Sequence, residues 1–357
     1  MESKGLLFIP DISGFTRFIN NVEIDHSRRI IQELLEVLIN ANELGLEVSE
    51  IEGDAILFYK FGESPDLKQI YKQVEKMFRS FHKHLMMYYN CRYCQCKACS
   101  SVMNLTLKVI THYGEFTGYN VKNFNKLIGK DVIVAHQLLK NDIEQHEYWL
   151  ITPSLAGEKN PPPGLADRMK WNSSIKKTEH GEIAFHYTQL SYLKDKIDPD
   201  PLPDLDLHDK TKIFSFSNEY DTDLITLFHA AGDFNYRGNW LEGVKSVEVV
   251  DRHLPRVGMK CRCILDNEKD VIFSSNYSYS DERIQFSETD EKKITSITYT
   301  LEKINDNKTK LTVDFYLKKS ILLQILFNLM KKKRTEEILR KSLSNLETFV
   351  KNFRRSS

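Results

Sequence analysis

Apolar side chains recur along the first half of the chain with two different periods. Short apolar runs and alternating stretches predict strands, and apolar positions at helical spacing predict amphipathic helices. The predicted strands are residues 6–9, 45–51, 55–59 and 105–112, and the predicted helices are residues 25–41, 67–85 and 132–139. Because strands and helices alternate, this half is predicted to form an α/β or α+β sandwich, of which we expect the α+β form.

The pattern changes after a segment rich in proline and aspartate, residues 197–209, which predicts an exposed linker. We therefore expect one domain over residues 1–196 and a second over residues 210–357. In the second, a strand at 212–220 and a helical stretch to about residue 234 precede several alternating strands between residues 247 and 317. A long helix over residues 320–353 closes the chain. This order predicts a curved antiparallel sheet that grips one long helix.

Composition narrows the class of protein. Hydrophobic residues make up 41% of the 357, and the basic and acidic totals are 50 each, so no bulk charge favours nucleic acid. The first residues contain no apolar core of a signal peptide. The longest apolar run, residues 321–330, is interrupted by Gln324 and Asn328 and reaches about half the roughly 20 residues of a membrane span. We expect a cytoplasmic protein without stable membrane insertion.

Two aspartates stand where strands end. The segment FIPDISGFTRF places Asp11 after a predicted strand and before a glycine turn, and EIEGDAILFY places Asp54 at a tight turn between two strands. Such a pair can share divalent cations with a nucleoside triphosphate, because magnesium favours one or two carboxylates plus phosphate oxygens. The alternative is that each aspartate only caps its turn.

At these residues the sequence resembles the class III adenylyl and guanylyl cyclases, whose first strand ends in DIxGFT and whose hairpin carries a GD turn. HYGEF, at residues 112–116, is similar to the family's HxG strand end, so the resemblance covers roughly residues 5–190. It implies a ferredoxin-like sandwich, a head-to-tail homodimer and two Mg²⁺ or Mn²⁺ ions bound with a nucleoside triphosphate. The implied metal ligands are Asp11, Asp54 and the carbonyl of Ile12, and the implied phosphate-binding turn is Gly14, Phe15 and Thr16.

The resemblance fails on the helix that follows. The family's GxxVNxAxR corresponds here to GKDVIVAHQ, so Ile133 replaces the asparagine and Gln137 the arginine that stabilise the transition state. Each lost donor costs about 10² to 10³ in rate. We therefore expect a weak or inactive cyclase. The alternative is an active one in which Lys126, Lys130 or His136 supplies charge; candidates for the family's phosphate-binding lysine are Lys176 and Lys177.

Base selection depends on two further positions. Glu50 lies where guanylyl cyclases carry glutamate, and Lys126 occupies the partner position, where the family has aspartate or cysteine. The resemblance implies a preference for GTP over ATP. The alternative is an ordinary ion pair between these two side chains that contacts no ligand.

Four cysteines are crowded into NCRYCQCKACSS. Cys91, Cys94, Cys96 and Cys99 are spaced closely enough to bind zinc, with His82 or His84 available as an external ligand. A redox switch and inert thiols are the alternatives.

Residues 210–357 resemble the START-related, polyketide-cyclase-like superfamily, whose helix-grip fold encloses an apolar cavity. The residues expected to line a pocket for an apolar small molecule, or else to form plain core, are Trp240, Tyr277, Tyr279, Phe286 and Tyr299. With such a domain the expected role is sensory or regulatory. A basic cluster at residues 331–334 either touches anionic lipid or forms a solvated helix face.

Overall fold

The computed structural model describes residues 3–21, 24–92, 97–122, 124–156, 164–166, 168–179, 181–198, 207–249, 260–265 and 269–353. The chain divides into two compact units, one within residues 1–89 and 96–199 and the other within residues 200–357 together with 90–95. The predicted mixed α+β architecture is confirmed. Among the helices described, none is long and apolar enough to cross a bilayer.

One mixed sheet flanked by helices forms the first unit. Its elements are β1 (Ser3–Ser13), α1 (Phe15–Asn21), α2 (Ile24–Asn40), β2 (Glu47–Glu52), β3 (Ala55–Phe61), α3 (Leu67–Cys91), α4 (Lys97–Ser101), β4 (Thr106–Val121), β5 (Phe124–Ile128), α5 (Lys130–Leu139), β6 (Tyr148–Ile151), α6 (Pro153–Ala156), β7 (Asn172–Thr178) and β8 (Gly181–Gln189). The strand order is β2-β3-β1-β4-β6-β8-β7, with β5 paired to β4. Only β4 and β6 pair in parallel among these strands.

The centre of this sheet explains the apolar run near the start of the chain. Four consecutive residues of β1, Leu6, Leu7, Phe8 and Ile9, are all buried. Because neighbouring strand residues point to opposite faces, β1 is covered on both sides of the sheet. The core below one face joins Leu7 and Ile9 to side chains of α5.

Two elements differ from the prediction. Strand β1 continues through Asp11 to Ser13, so the turn is confined to Gly14, whose φ is +89°. Strand β4 continues to Val121 and forms a hairpin with β5, whereas the sequence predicted a strand that ends at residue 112. The outer half of β4 is largely exposed and therefore lacks the apolar alternation on which the prediction depended.

The second unit contains a seven-stranded, fully antiparallel sheet in the order β10-β11-β12-β13-β14-β15-β9. Its elements are β9 (Lys210–Tyr220), α7 (Leu224–Gly232), β10 (Val244–Val249), β11 (Lys260–Leu265), β12 (Lys269–Tyr279), β13 (Arg283–Asp290), β14 (Thr295–Asn305), β15 (Lys308–Lys318), α8 (Ile321–Met330) and α9 (Lys332–Asn352). The hydroxyl of Tyr220 donates to the Leu343 carbonyl at 3.1 Å and ties α9 to β9.

The long closing helix of the prediction is divided into α8 and α9 at Lys331, where φ is −121°. The division falls where the apolar pattern of α8 gives way to a run of basic residues. Phe327 of α8 and Leu339 of α9 pack into one core with Phe315 and Leu317 of β15. The two helices therefore pack on the same face of the sheet. The outer face of α8 is apolar, whereas α9 begins with basic residues.

Candidate functional site

Strand pairing brings Asp11 and Asp54 to the same edge of the sheet. Asp11 pairs with Ala55 of β3 on one side and with Lys108 of β4 on the other. The N–H of Ile12 donates to the carbonyl of Asp54 at 3.0 Å, which joins β1 to the turn between β2 and β3. The two carboxylates are close enough that the charge of Asp54 raises the pKa of Asp11.

Burial dominates the electrostatics of this pair. It raises the pKa of Asp11 to about 6, with Lys108 opposing the shift and Asp54 adding to it. Burial also raises the pKa of Asp54, against its own backbone hydrogen bond and the charge of Lys108. Because burial disfavours the ionised form of both carboxyl groups, a cation added at this sheet edge would stabilise that form.

Lys108 is the site residue that sequence reasoning missed. Its Nζ lies 3.5 Å from Asp11 Oδ2 and donates to the Leu139 carbonyl at 3.1 Å, and its side chain is 14% exposed. A lysine within the apolar stretch LTLKVI was the available signal, because a strand interior rarely holds a cation without a partner. Its partner became visible only with the register of β1 against β4.

The glycine turn lies beside a cavity with basic lining residues. A Cβ at Gly14 would approach the Asn104 carbonyl oxygen to 3.2 Å, and its positive φ is strained for other residues. Phe15 and Thr16 begin α1, with the Phe18 N–H bonded to the Gly14 carbonyl. The neighbouring cavity, of about 670 Å³, includes Arg17 and Lys97 in its lining. An anionic group entering there would meet positive charge.

The HYGEF segment holds the start of α5. His112 Nε2 contacts Asp131 Oδ1 at 2.8 Å, and the Glu115 N–H donates to the other oxygen of that carboxylate at 2.7 Å. A Cβ at Gly114 would come within 2.2 Å of the Asp131 Cγ, so only glycine leaves room for this carboxylate. The histidine and glycine of the segment therefore fix the helix that carries residues 133 and 137.

The two substituted positions of α5 line a cavity of about 500 Å³. Ile133 is 56% exposed, and Gln137 lines the cavity with it. Lys130, one of the alternative sources of charge, lines the same cavity, whereas His136 is not among its lining residues. Lys176, a candidate phosphate ligand, donates instead to the Lys140 carbonyl.

Glu50 and Lys126 form an ion pair with each other. The hydrogen bond to Glu50 raises the pKa of Lys126, so the ammonium is retained. The pairing satisfies both side chains without a base. Their role in selecting guanine stays a prediction.

The cysteine cluster falls largely outside the described residues: Cys94 and Cys96 are not described, nor is the side chain of Cys91. Cys99 is buried, with its Sγ 3.1 Å from the Tyr88 hydroxyl and 3.5 Å from His26 Nδ1. His84 contacts Glu33 at 3.0 Å. Among the described residues, no group of three or more histidine, cysteine or acidic side chains is arranged to hold a metal. The zinc hypothesis gains no support.

Two of the aromatic residues predicted to line a pocket in the second unit, Trp240 and Tyr299, lie beside a buried ion pair. Arg237 forms a two-armed pair with Glu288, and both are almost completely buried. The guanidinium carbon lies 5.1 Å from the Trp240 ring and 6.0 Å from the Tyr299 ring, which stacks on Phe286 at 4.6 Å. Tyr279 is 39% exposed and Tyr277 packs on Phe228. This arrangement gives no support to a pocket for an apolar ligand, and the charged pair was not predicted.

Comparison with known proteins identifies two matches in sequence. A family described as a protein of unknown function (DUF2652) matches residues 31–148, a segment that contains Asp54 and Lys108 but not Asp11. An uncharacterized protein of Mycobacterium tuberculosis is 32% identical over 133 residues, which is 35% of this chain. The chain spans 58% of the length of that relative.

Solved structures similar to this chain are catalytic domains of adenylyl and guanylyl cyclases, over about half of its length. The guanylate cyclase domain of RhGC from Catenaria anguillulae, in complex with GTP, is 14% identical, covers 53% of this chain and 98% of its own, and has a TM-score of 0.38. The adenylyl cyclase CyaB from P. aeruginosa is 13% identical, covers 53% and 94%, and has a TM-score of 0.35. A bacterial light-regulated adenylyl cyclase is 14% identical, covers 55% and 98%, and has a TM-score of 0.38.

Proposed function

We propose that the first unit binds a nucleoside triphosphate together with a divalent cation at Asp11 and Asp54, and that it turns the nucleotide over weakly or not at all. The observation that carries the proposal is the meeting of these two carboxylates at one sheet edge, where burial raises the pKa of both. Buried carboxylates without enough positive charge are the donor set that Mg²⁺ and Mn²⁺ bind.

The same residues favour one cation over two. Two ionised carboxylates carry two negative charges, of which the ammonium of Lys108 balances one. The resemblance to class III cyclases implies two ions, but the ammonium of Lys108 already contacts Asp11 and would repel a cation bound to the same carboxylate. A bound divalent cation would supply charge that holds the triphosphate oxygens. Asp11, Asp54 and the Ile12 carbonyl would hold it.

Weak turnover follows from α5. The side chain of Ile133 has no hydrogen-bond donor and that of Gln137 has no charge, so neither replaces the donors that offset charge on a transferring phosphoryl group. The second candidate function is an active cyclase. It is favoured by one observation, that Lys130 lines the cavity shared by Ile133 and Gln137.

Three finer features belong to the same proposal. A second copy of the chain would cover the hairpin of β4 and β5, whose Tyr119, Val121 and Ile128 are 45% to 57% exposed, as expected of a homodimer. GTP would be preferred over ATP if Glu50 exchanges Lys126 for a guanine edge. The second unit, a sheet with a long closing helix, would act as a helix-grip domain in a sensory or regulatory role.

Titration calorimetry and thermal unfolding of the full chain test the proposal. We expect GTP with Mn²⁺ to bind and to raise the melting temperature, since a ligand of the native state stabilises it. Asp54→Ala should abolish this effect, and Asp142→Ala, a change to an exposed carboxylate between α5 and β6, should not. Cyclic nucleotide in the wild type that disappears in Asp54→Ala would establish the active cyclase instead. If neither GTP nor ATP binds in the presence of Mn²⁺, the proposal is wrong.

A further inference from the structure

Helix α8 presents an unusual outer face. Six large aliphatic side chains on it are 46% to 81% exposed: Ile321, Leu322, Ile325, Leu326, Leu329 and Met330. They occupy adjacent positions repeated every four residues, so they form one continuous stripe along the helix. Single exposed apolar residues are ordinary, but a contiguous stripe of this kind marks a contact surface.

The helix that carries this stripe is firmly anchored on its opposite side. Phe327 is buried and stacks on Phe315 of β15 with ring centroids 5.3 Å apart. Gln324 donates to the Thr211 hydroxyl at 3.2 Å, and the Ser320 hydroxyl caps the first turn. The exposed stripe therefore lies on the outer side of a helix whose inner side is packed against the sheet.

Four basic residues follow the stripe without a break: Lys331, Lys332, Lys333 and Arg334. Lys331 caps the end of α8 and the other three begin α9, so the basic residues lie directly at the end of the stripe. Within the described part of the chain, no carboxylate forms an ion pair with any of the four. Their positive charge is thus available to an anionic partner.

We propose that α8 and residues 331–334 bind the surface of an anionic membrane, with α8 lying in the plane of the interface. The ten residues of α8 extend about 15 Å, half of the roughly 30 Å hydrocarbon core, so the helix can lie in the bilayer surface but cannot cross it. Aliphatic side chains enter the acyl boundary while adjacent lysines and arginines meet anionic headgroups.

The chemistry of the stripe favours lipid over a protein partner. Protein interfaces concentrate their binding energy in tryptophan, tyrosine and arginine, whereas this face contains isoleucine, leucine and methionine alone. Lipid tails accept such side chains without shape complementarity. The basic run supplies the second of the two signals that stable peripheral binding requires.

Flotation of the full chain with vesicles tests this inference. We expect binding to vesicles that contain phosphatidylserine, weak binding to phosphatidylcholine alone, and release by salt because the electrostatic part is screened. Ile325→Glu with Leu329→Glu should lower binding by roughly tenfold or more, since two apolar anchors are replaced by charges. Lys332→Gln and Lys333→Gln should each weaken it about fivefold. Ile175→Glu, at an isoleucine of comparable exposure on β7, is the matched control and should bind as the wild type does.

A second measurement guards against misfolding of the glutamate variants. Leu329→Trp should show a blue-shifted emission on addition of phosphatidylserine vesicles, because the indole enters the acyl boundary. Unshifted emission together with absent flotation would overturn the proposal. It would also be overturned by a wild type that ignores vesicles but changes from oligomer to monomer on Leu329→Glu, which would identify the stripe as a protein interface.

Discussion

Replacement of Lys108 by methionine tests two effects of its positive charge: repulsion of a bound cation and stabilisation of the fold. The ammonium lies 3.5 Å from Asp11 Oδ2, and a pair of unit charges at about 4 Å with an effective dielectric constant near 20 interacts by about 4 kcal/mol. A divalent cation bound to the same carboxylate lies near this ammonium and is repelled by it. Relief of ~1.4 kcal/mol of this repulsion gives a factor of ten. Lys108→Met should therefore bind Mn²⁺ at least about tenfold more tightly.

The same substitution should weaken the fold in the absence of metal. Methionine leaves the Leu139 carbonyl without its donor and Asp11 without its cation. Loss of a partner costs a buried acceptor about 1–3 kcal/mol, and the partly buried Leu139 carbonyl less, so the metal-free variant should melt at a lower temperature. Added Mn²⁺ should recover more stability in the variant than in the wild type, since the variant binds it more tightly.

Calorimetry with Mn²⁺ on the full chain measures the affinity, and thermal unfolding measures the stability. Lys60→Met is the matched control, because Lys60 also donates to a backbone carbonyl, that of Leu44 at 2.7 Å, but is exposed. We expect the control to leave Mn²⁺ affinity unchanged. Affinity that is unchanged or weaker in Lys108→Met would refute the assignment of Lys108 as a competitor of the metal.

Three further predictions concern pH and burial. Mn²⁺ affinity should fall by up to about tenfold per pH unit below 6, as measured by calorimetry, because a carboxylate must be ionised to bind metal and Asp11 has its pKa raised to about 6. Burial, with the charge of Lys194, lowers the pKa of His82 from 6.5 to about 3, so its stability contribution is present above pH 6.5 and is lost as pH falls toward 3. Urea unfolding should show a loss of up to ~1.4 kcal/mol per pH unit in that window, and less in His82→Phe. Arg237→Met should cost about 3–5 kcal/mol in thermal unfolding by leaving the Glu288 carboxylate buried and unpaired, and Arg237→Met with Glu288→Leu should recover most of it.

Local patterns in the sequence predicted the elements that bear the site. Apolar runs predict buried strands, as at residues 6–9. Gly14, three residues after Asp11, predicts a turn, and the structure confines the turn to this glycine. The helix over residues 130–139 was predicted from its periodicity, with only its first two residues missed. In each case the signal lies within a few residues of the element that it predicts.

Cross-strand partners could not be predicted from the sequence, because the signal for them does not lie within one segment of the chain. Lys108 faces Asp11 only because β1 pairs with β4 in one register, and a shift of that register would change which residues meet. The pair of Arg237 with Glu288 likewise joins a helical turn to β13 across the interior of the second unit. No periodicity within either segment carries this information, since it is a property of the packing.

Two features around the candidate site favour the same behaviour under the proposed function. Lys108 places positive charge beside Asp11, so the two carboxylates without a cation would be less destabilised, and a bound cation would stabilise them less. On α5, Ile133 and Gln137 line one cavity, and they stand where the resemblance to cyclases implies groups that act only when charge develops on a transferring phosphoryl. Under the proposed function, a site altered in this way would still hold a cation and a phosphate but would lack interactions specific to the transition state. Because uniform binding does not accelerate a reaction, such a site is suited to respond to nucleotide by occupancy, as a regulator does.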